Sequence, residues 1–269
     1  MGAGGKVVGS LVALAILAPL FWWLRRRWPA AKLDARGLAA VVTDLTYWVV
    51  SPVFVRPVVR VLVVAIVGLW AVVFAGSLEP DALLHAFSSR SPIAAQPAWI
   101  QLIEMLLLGD FLGYWVHRAL HRKGWWRFHA IHHSSRRLDW LASARNHPVN
   151  ELLGGVLRLF PIFVLGFQIE LVAGYLPALS LYGLVLHANV RWDFGPLRYV
   201  VASPAFHRWH HSAEVETRDV NFSGLFPVWD LIFGTFHLPR GRFPAHTGAP
   251  VPEGYFAQLA HPFRPDALL

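Results

Sequence analysis

The chain has 269 residues, 55% of them hydrophobic and only 15% charged, with a formal net charge of +8. That balance excludes an ordinary soluble domain and suits one membrane unit of four to six helices with a cap outside the bilayer. There is no cysteine, which excludes thiolate metal sites, Cys-ligated iron–sulfur clusters and disulfides.

In chain order, Val7 to Leu24 is long enough to span a bilayer and ends in Trp22, Trp23 and the Arg25–Arg27 run. The positive cluster follows the apolar run and no small-residue cleavage site comes after it, which argues against a signal peptide. Leu38 to Val55 carries Thr43, Asp44 and Thr46 and is broken by Pro52, so we expect an interfacial or re-entrant helix, with a true span as the alternative. Val58 to Gly76 is a second span, entered from Arg56 and Arg60, and Ser77 to Pro97 is an outside loop. Ala98 to Val116 is a third span, whose Gln101, Glu104 and Asp110 must face protein or water. Leu152 to Phe167 and Leu171 to Leu186 read as a hairpin of two apolar helices that dips into the membrane and returns. From Arg191 the chain is more polar, and Pro239 to Pro265 is a Pro/Gly-rich tail expected to wrap the cap.

The fold expected is therefore all-α and polytopic, with about four to five membrane helices and a cytoplasmic, histidine-rich helical cap. Residues 1–37 form an N-terminal anchor and basic linker, and 38–269 the catalytic domain. Arg25–Arg27, Arg56, Arg60, Arg118, Arg122 and Lys123 lie at the ends of apolar runs. They follow the positive-inside pattern and argue against nucleic-acid binding.

The chemistry lies in the histidines, of which there are 14. His117 and His121 are four apart; His129, His132 and His133 form a second group, and His207, His210 and His211 repeat its spacing. On a helix, residues three and four apart share a face, so each group is expected to point one way. A lone histidine is usually structural. Three such groups on one side of a membrane are not explained by packing and point to metal. Eight imidazoles exceed the needs of one ion, so two metals with four or five nitrogens each is the natural division. His147 is either a further ligand or a hydrogen-bonding residue before Pro148. His85, His237, His246 and His261 have no partner at helical spacing and read as structural or exposed. Asp110 and Tyr114 continue the face of His117 and His121 backward. Asp110 is placed to accept a ligand's second N–H, the alternative being a buried ion pair with an arginine. Nitrogen ligands leave iron, zinc, copper and nickel open.

HRALH, FHAIHH and FHRWHH, in this order, resemble the HxxxH, HxxHH and HxxHH boxes of the fatty acid hydroxylase/sterol desaturase superfamily. Asp110, Tyr114-Trp115, Trp126-Arg127-Phe128, Ser134, Asp139, Arg145 and His147-Pro148 surround them as in that family. LHANVRW resembles its His-x-Asn element, and NFSGLFPVWDLIFGTF the segment after its last box. The resemblance covers roughly residues 38 to 265. It implies a membrane-bound, non-haem di-iron enzyme of lipid biosynthesis that uses O2 and two electrons to hydroxylate or desaturate a fatty acyl, sterol or related C–H bond. Zinc is a possible substitute in purified protein. The implied ligands are His117, His121, His129, His132, His133, His187, His207, His210 and His211. Asp110, Tyr114, Asp139, Asn189 and Asp230 stand around them. The family's acyl hydroxylase branch has a further histidine four residues after the one matching His187, where this chain has Arg191. Electrons would come from a ferredoxin or a b5-type cytochrome, and the membrane would be the plasma (inner) membrane if bacterial, with the site facing the cytoplasm. A membrane zinc hydrolase, a haem electron carrier and a metal transporter are the competing readings.

Overall fold

The computed structural model describes residues 2–31, 37–76, 79 and 91–265. Among these the regular structure is helical, joined by turns and loops, and extended pairing is limited to two isolated bridges, Pro29 with Val190 and Ser212 with Thr247. Most of the expected loop from Ser77 to Pro97, including His85, lies outside the described residues.

Among the described residues, four helical stretches are long and apolar enough to cross a membrane: Ala3–Arg27, Leu38–Trp70, Ala98–Leu120 and Glu170–His187. We call Ala3–Arg27 α1, Leu38–Val50 α2, Arg56–Ala75 α3 and Ala98–Leu120 α4. Val8, Ile16, Val61, Val64, Leu69 and Trp99 stand exposed on these helices. So continuous an apolar surface requires lipid.

Pro52 does not break the chain as the sequence suggests. Residues Ser51–Val55 form a π-turn that leads α2 directly into α3. The wider turn absorbs the missing N–H of Pro52, so 38–55 is the first part of one long helical run and not a separate re-entrant segment.

The apolar pair after the second histidine group is α6, Pro148–Val164, and α7, Ile169–His187, with α5, Lys123–His129, before them. α6 packs between α3 and α4. Met105, Ile162, Phe167, Val172 and Tyr175 form the core that joins α4, α6 and α7.

The cap is built on these ends. The second box continues from α5 into a 3-10 turn at His132–Ser134. The third occupies α8, Pro204–His210, which starts where Ser203 Oγ accepts the N–H of Phe206 and Pro204 supplies the first turn. Short helices α9, Val228–Ile232, and α10, Tyr255–Ala260, follow. The tail lies over both boxes: Ala249 N donates to the His133 carbonyl at 2.6 Å and Gly248 N to that of His211 at 3.3 Å. Gly248 has φ +104°, and a Cβ there would stand 2.8 Å from the Arg136 backbone, so only glycine admits this approach.

Arg145 ties the cap to the membrane helices. Its side chain is fully buried. Nε meets Asp44 Oδ1 of α2 at 2.5 Å, Nη1 donates to Ser134 Oγ at 2.8 Å, and Nη2 lies 3.2 Å from the Ala40 carbonyl and from Glu253 Oε2. α1 docks on the same side, with Phe21 stacked on Trp140 at 4.9 Å.

Candidate metal centre

Two nests of imidazole nitrogens stand side by side in the cap. One comprises His117, His121, His129, His133 and His210, the other His132, His187, His207 and His211. Within each nest, one nitrogen from every ring lies within 4.8 Å of the others. These are the nine histidines singled out in the sequence, and His147 is in neither nest.

The division cuts across the sequence boxes. His129 and His133 enter the first nest, but His132 between them enters the second. His207 and His211 enter the second nest, but His210 enters the first. Each box was expected to point one way. In fact one turn separates i from i+4, whereas i+3 falls to the other side of that line. The rings of His133 and His211 stack at 4.2 Å between centroids where the nests adjoin.

The outer nitrogens of six rings are held. Nδ1 of His117 lies 2.7 Å from the Phe222 carbonyl, His132 3.2 Å from that of Arg145, His187 2.8 Å from that of Gly183, and His210 2.8 Å from that of Val220. A carbonyl only accepts, so each of these Nδ1 atoms carries the proton and leaves its Nε2 as a bare lone pair. His121 Nδ1 meets Asp219 Oδ1 at 3.1 Å and His129 Nδ1 meets Asn150 Oδ1 at 2.9 Å.

The donor set fits a cation. Nε2 of His132 and Nε2 of His187, both bare, face each other at 3.2 Å. Two lone pairs so close repel unless positive charge stands among them. Nε2 of His121 and His210 are buried without a hydrogen-bond partner. Burial also holds the rings neutral, as ligation requires. It pushes the pKa of His132 down to about 4 and that of His121 below the imidazole value. Burial, followed by repulsion from neighbouring imidazoles, holds His129, His133, His207, His210 and His211 well below it.

The surrounding residues act differently from expectation. Asp110 does not reach a histidine; its oxygens accept the N–H groups of Gly224, Leu225 and Phe226 at 3.0, 2.8 and 2.8 Å. Asp230 accepts those of Phe222 and Ser223 at 2.7 and 3.0 Å. Both carboxylates therefore shape the loop whose Phe222 carbonyl orients His117. Tyr114 meets Thr235 Oγ1 at 3.0 Å and Arg118 Nη1 at 2.9 Å. Asp139 accepts Leu141 N, and Asn189 Oδ1 accepts Arg208 Nη2 at 3.0 Å. His147 is a helix cap: its Nδ1 accepts Val149 N at 3.1 Å and its Nε2 faces the Leu259 carbonyl at 3.3 Å. Both its nitrogens are used, so it is not the additional ligand. Arg191 is exposed, and its N–H donates to the Trp28 carbonyl.

Asp219 and Asn150, the polar side chains that do touch the rings, were not anticipated as their partners. Neither lies in a histidine box, and only folding brings Asp219 to His121.

A cavity of about 230 Å³ opens on both nests, with His117 and His129 of one and His132 and His207 of the other in its wall.

Residues 102–235, half of the chain, match the fatty acid hydroxylase family. Ornithine lipid hydroxylase OlsE of Rhizobium tropici is 34% identical over 170 residues, 62% of this chain and 51% of that protein. Alkylglycerol monooxygenase of Caenorhabditis elegans is 30% identical over 158 residues, 58% of this chain and 31% of that protein. A very-long-chain aldehyde decarbonylase of Oryza sativa is 33% identical over 138 residues, 47% of this chain and 21% of that protein. The chain thus spans about half of the length of these curated relatives or less. No solved structure matches it. Four apolar helices and membrane-enzyme relatives make it an integral membrane protein. With its histidine boxes, its all-α membrane architecture and these matches, the chain belongs to the fatty acid hydroxylase/sterol desaturase superfamily.

Proposed function

We propose that the protein is a membrane-bound, non-haem di-iron oxidoreductase that hydroxylates or desaturates a lipid C–H bond. The observation that carries this reading is the pair of adjoining imidazole nests, five and four rings, opening on one cavity. The relatives' names, a lipid hydroxylase and an alkylglycerol monooxygenase, point to the same chemistry.

His117, His121, His129, His133 and His210 would hold one iron, and His132, His187, His207 and His211 the other. When bound, the two irons would supply O2 reduction coupled to C–H oxidation. For hydroxylation the balance is substrate, O2, two electrons and two protons giving alcohol and water. The protein's own part is to keep the rings neutral by burial, to orient six of them through Phe222, Asp219, Asn150, Arg145, Gly183 and Val220, and to shelter the cavity beside them. The electrons would come from an acidic ferredoxin or b5-type cytochrome, drawn to the basic rim at Arg122 and Lys123. The nests would face the cytoplasm, on the side of Arg25–Arg27, with residues 1–37 as the anchor.

The test is lipid analysis of a host with and without the gene, together with metal analysis of anaerobically purified protein. A lipid heavier by one oxygen or lighter by two hydrogens, formed only with O2 and iron, is expected. Turnover with zinc and without O2 would overturn the reading in favour of a hydrolase.

A further inference from the structure

The cavity beside the nests is unusual for an enzyme acting on hydrocarbon. Asp110, Asn146, Asn150, Ser223 and Arg158 line it along with the histidines. Asn150, Gly154 and Arg158 follow one another at four-residue steps on α6, so they form a single stripe. The stripe starts at the first nest, where Asn150 holds His129, and reaches Arg158 about 12 Å further along the helix axis. Gly154 lies midway, and a Cβ there would meet nothing within 4 Å.

Arg158 is the only charged residue between Leu152 and Phe167, a run that packs among membrane helices. A charge at such a place is costly and marks function. Arg25, Arg56, Arg145 and Arg198 each have a carboxylate within ion-pair distance. Among the described residues Arg158 has none. Its neighbours are the Tyr175 hydroxyl and, beyond ion-pair distance, the Asp110 carboxylate, which attracts it while its oxygens accept three backbone N–H groups and leave the guanidinium's donors toward the cavity without a direct carboxylate contact.

The cavity is also small. Sites that engulf a drug-sized ligand measure about 300–1,000 Å³, whereas this one is about 230 Å³. It has room for a compact polar group beside the nests.

We infer that Arg158 is a specificity residue that holds the acidic head of a lipid, a carboxylate or phosphate, in this cavity, so that bonds near the head rather than along the acyl chain face the nests. The fate of the bound lipid rests on the proposed oxidation; its recognition does not. The guanidinium offers paired donors to an oxyanion in a sheltered site, where such charge-assisted bonds are strongest.

The test is binding to the full-length protein in detergent, metal-free and iron-loaded in parallel. The probes are oleate, oleoyl lysophosphatidic acid and uncharged mono-oleoylglycerol. Both acids are expected to bind about tenfold tighter than the neutral lipid, the scale of one charge-assisted contact. Arg158→Gln removes that preference with unchanged helix content and metal uptake, and Arg158→Lys keeps part of it. Gly154→Leu, which fills the cavity without altering charge, weakens both acids. Equal affinity for acidic and neutral probes, or an undiminished preference in Arg158→Gln, would overturn the inference. So would displacement of the lipid acids by millimolar inorganic phosphate, which would make this a site for a free anion. Because binding is read without turnover, an absence of O2-dependent product would sink the oxidation reading and leave this one standing.

Discussion

His132 turns away from His133, its neighbour in sequence: its Nε2 lies 3.2 Å from that of His187, while His133 Nε2 lies 3.2 Å from that of His129. The same crossing occurs in the third box, where His207 and His211 pair at 3.0 Å and His210 leaves for the other nest. Each nest is thus laced by both boxes, and neither can form unless α5 and α8 meet.

This crossing predicts how double substitutions combine. His129→Ala and His210→Ala, from different boxes, should each empty the first nest, and together lose no more metal than either alone. His129→Ala with His132→Ala, from one box, should lose metal from both nests. Metal content per chain after anaerobic iron loading checks this, since residues that share one site are non-additive and those at separate sites add. Additive losses for His129 and His210 would contradict the shared nest.

Asp219 is mostly exposed, yet its carboxylate accepts the Nδ1–H of His121. Such outer partners orient a ring and raise its basicity, and their removal costs about 10–100-fold in metal affinity. Asp219→Ala should weaken binding at the first nest by about that factor and leave the fold intact, as read by metal titration and circular dichroism. Asn150→Ala, which frees His129, should act in the same direction.

The sequence already disclosed most of this arrangement. Runs such as Val7–Leu24 and Ala98–Val116 have the length and apolar content of membrane spans, the box spacings named eight of the nest residues, and the family resemblance added His187. The crossing was hidden because i+3 and i+4 look equivalent in a list and diverge around a real helix turn. Pro52 read as a break because a π-turn leaves no mark in composition. Asp110 and Asp230 bind backbone, and no side-chain pattern announces a backbone partner. Arg158 did leave a signal, a single charge within an apolar run.

Arg145 joins α2 to the second box through a pair with Asp44 in which both side chains are fully buried. Arg145→Met should cost about 3–5 kcal/mol, because it removes the buried cation that faces the Asp44 carboxylate. Thermal unfolding in detergent measures this. Adding Asp44→Leu should restore much of the loss, since it removes the buried negative charge that Arg145 balanced. A larger loss in the double variant would show that the pair itself stabilises the fold.

Acid should unfold the metal-free protein through the nests. His129, His132, His133, His207, His210 and His211 are held neutral when folded, His132 down to about 4, against 6.5 for an ordinary imidazole. The unfolded chain therefore binds more protons below pH 6.5, and stability falls as pH falls. The contribution is fully present above pH 6.5 and is lost downward through the folded values, at up to about 1.4 kcal/mol per pH unit for each ring. A steep drop in Tm of the metal-free protein between pH 6.5 and 4 is expected. Substituting His132 and His207 by Asn should flatten the slope, as should saturating metal at the upper end of the range, where metal still outcompetes protons for the same lone pairs. A Tm independent of pH across this window would mean that the rings are solvated and the nests open.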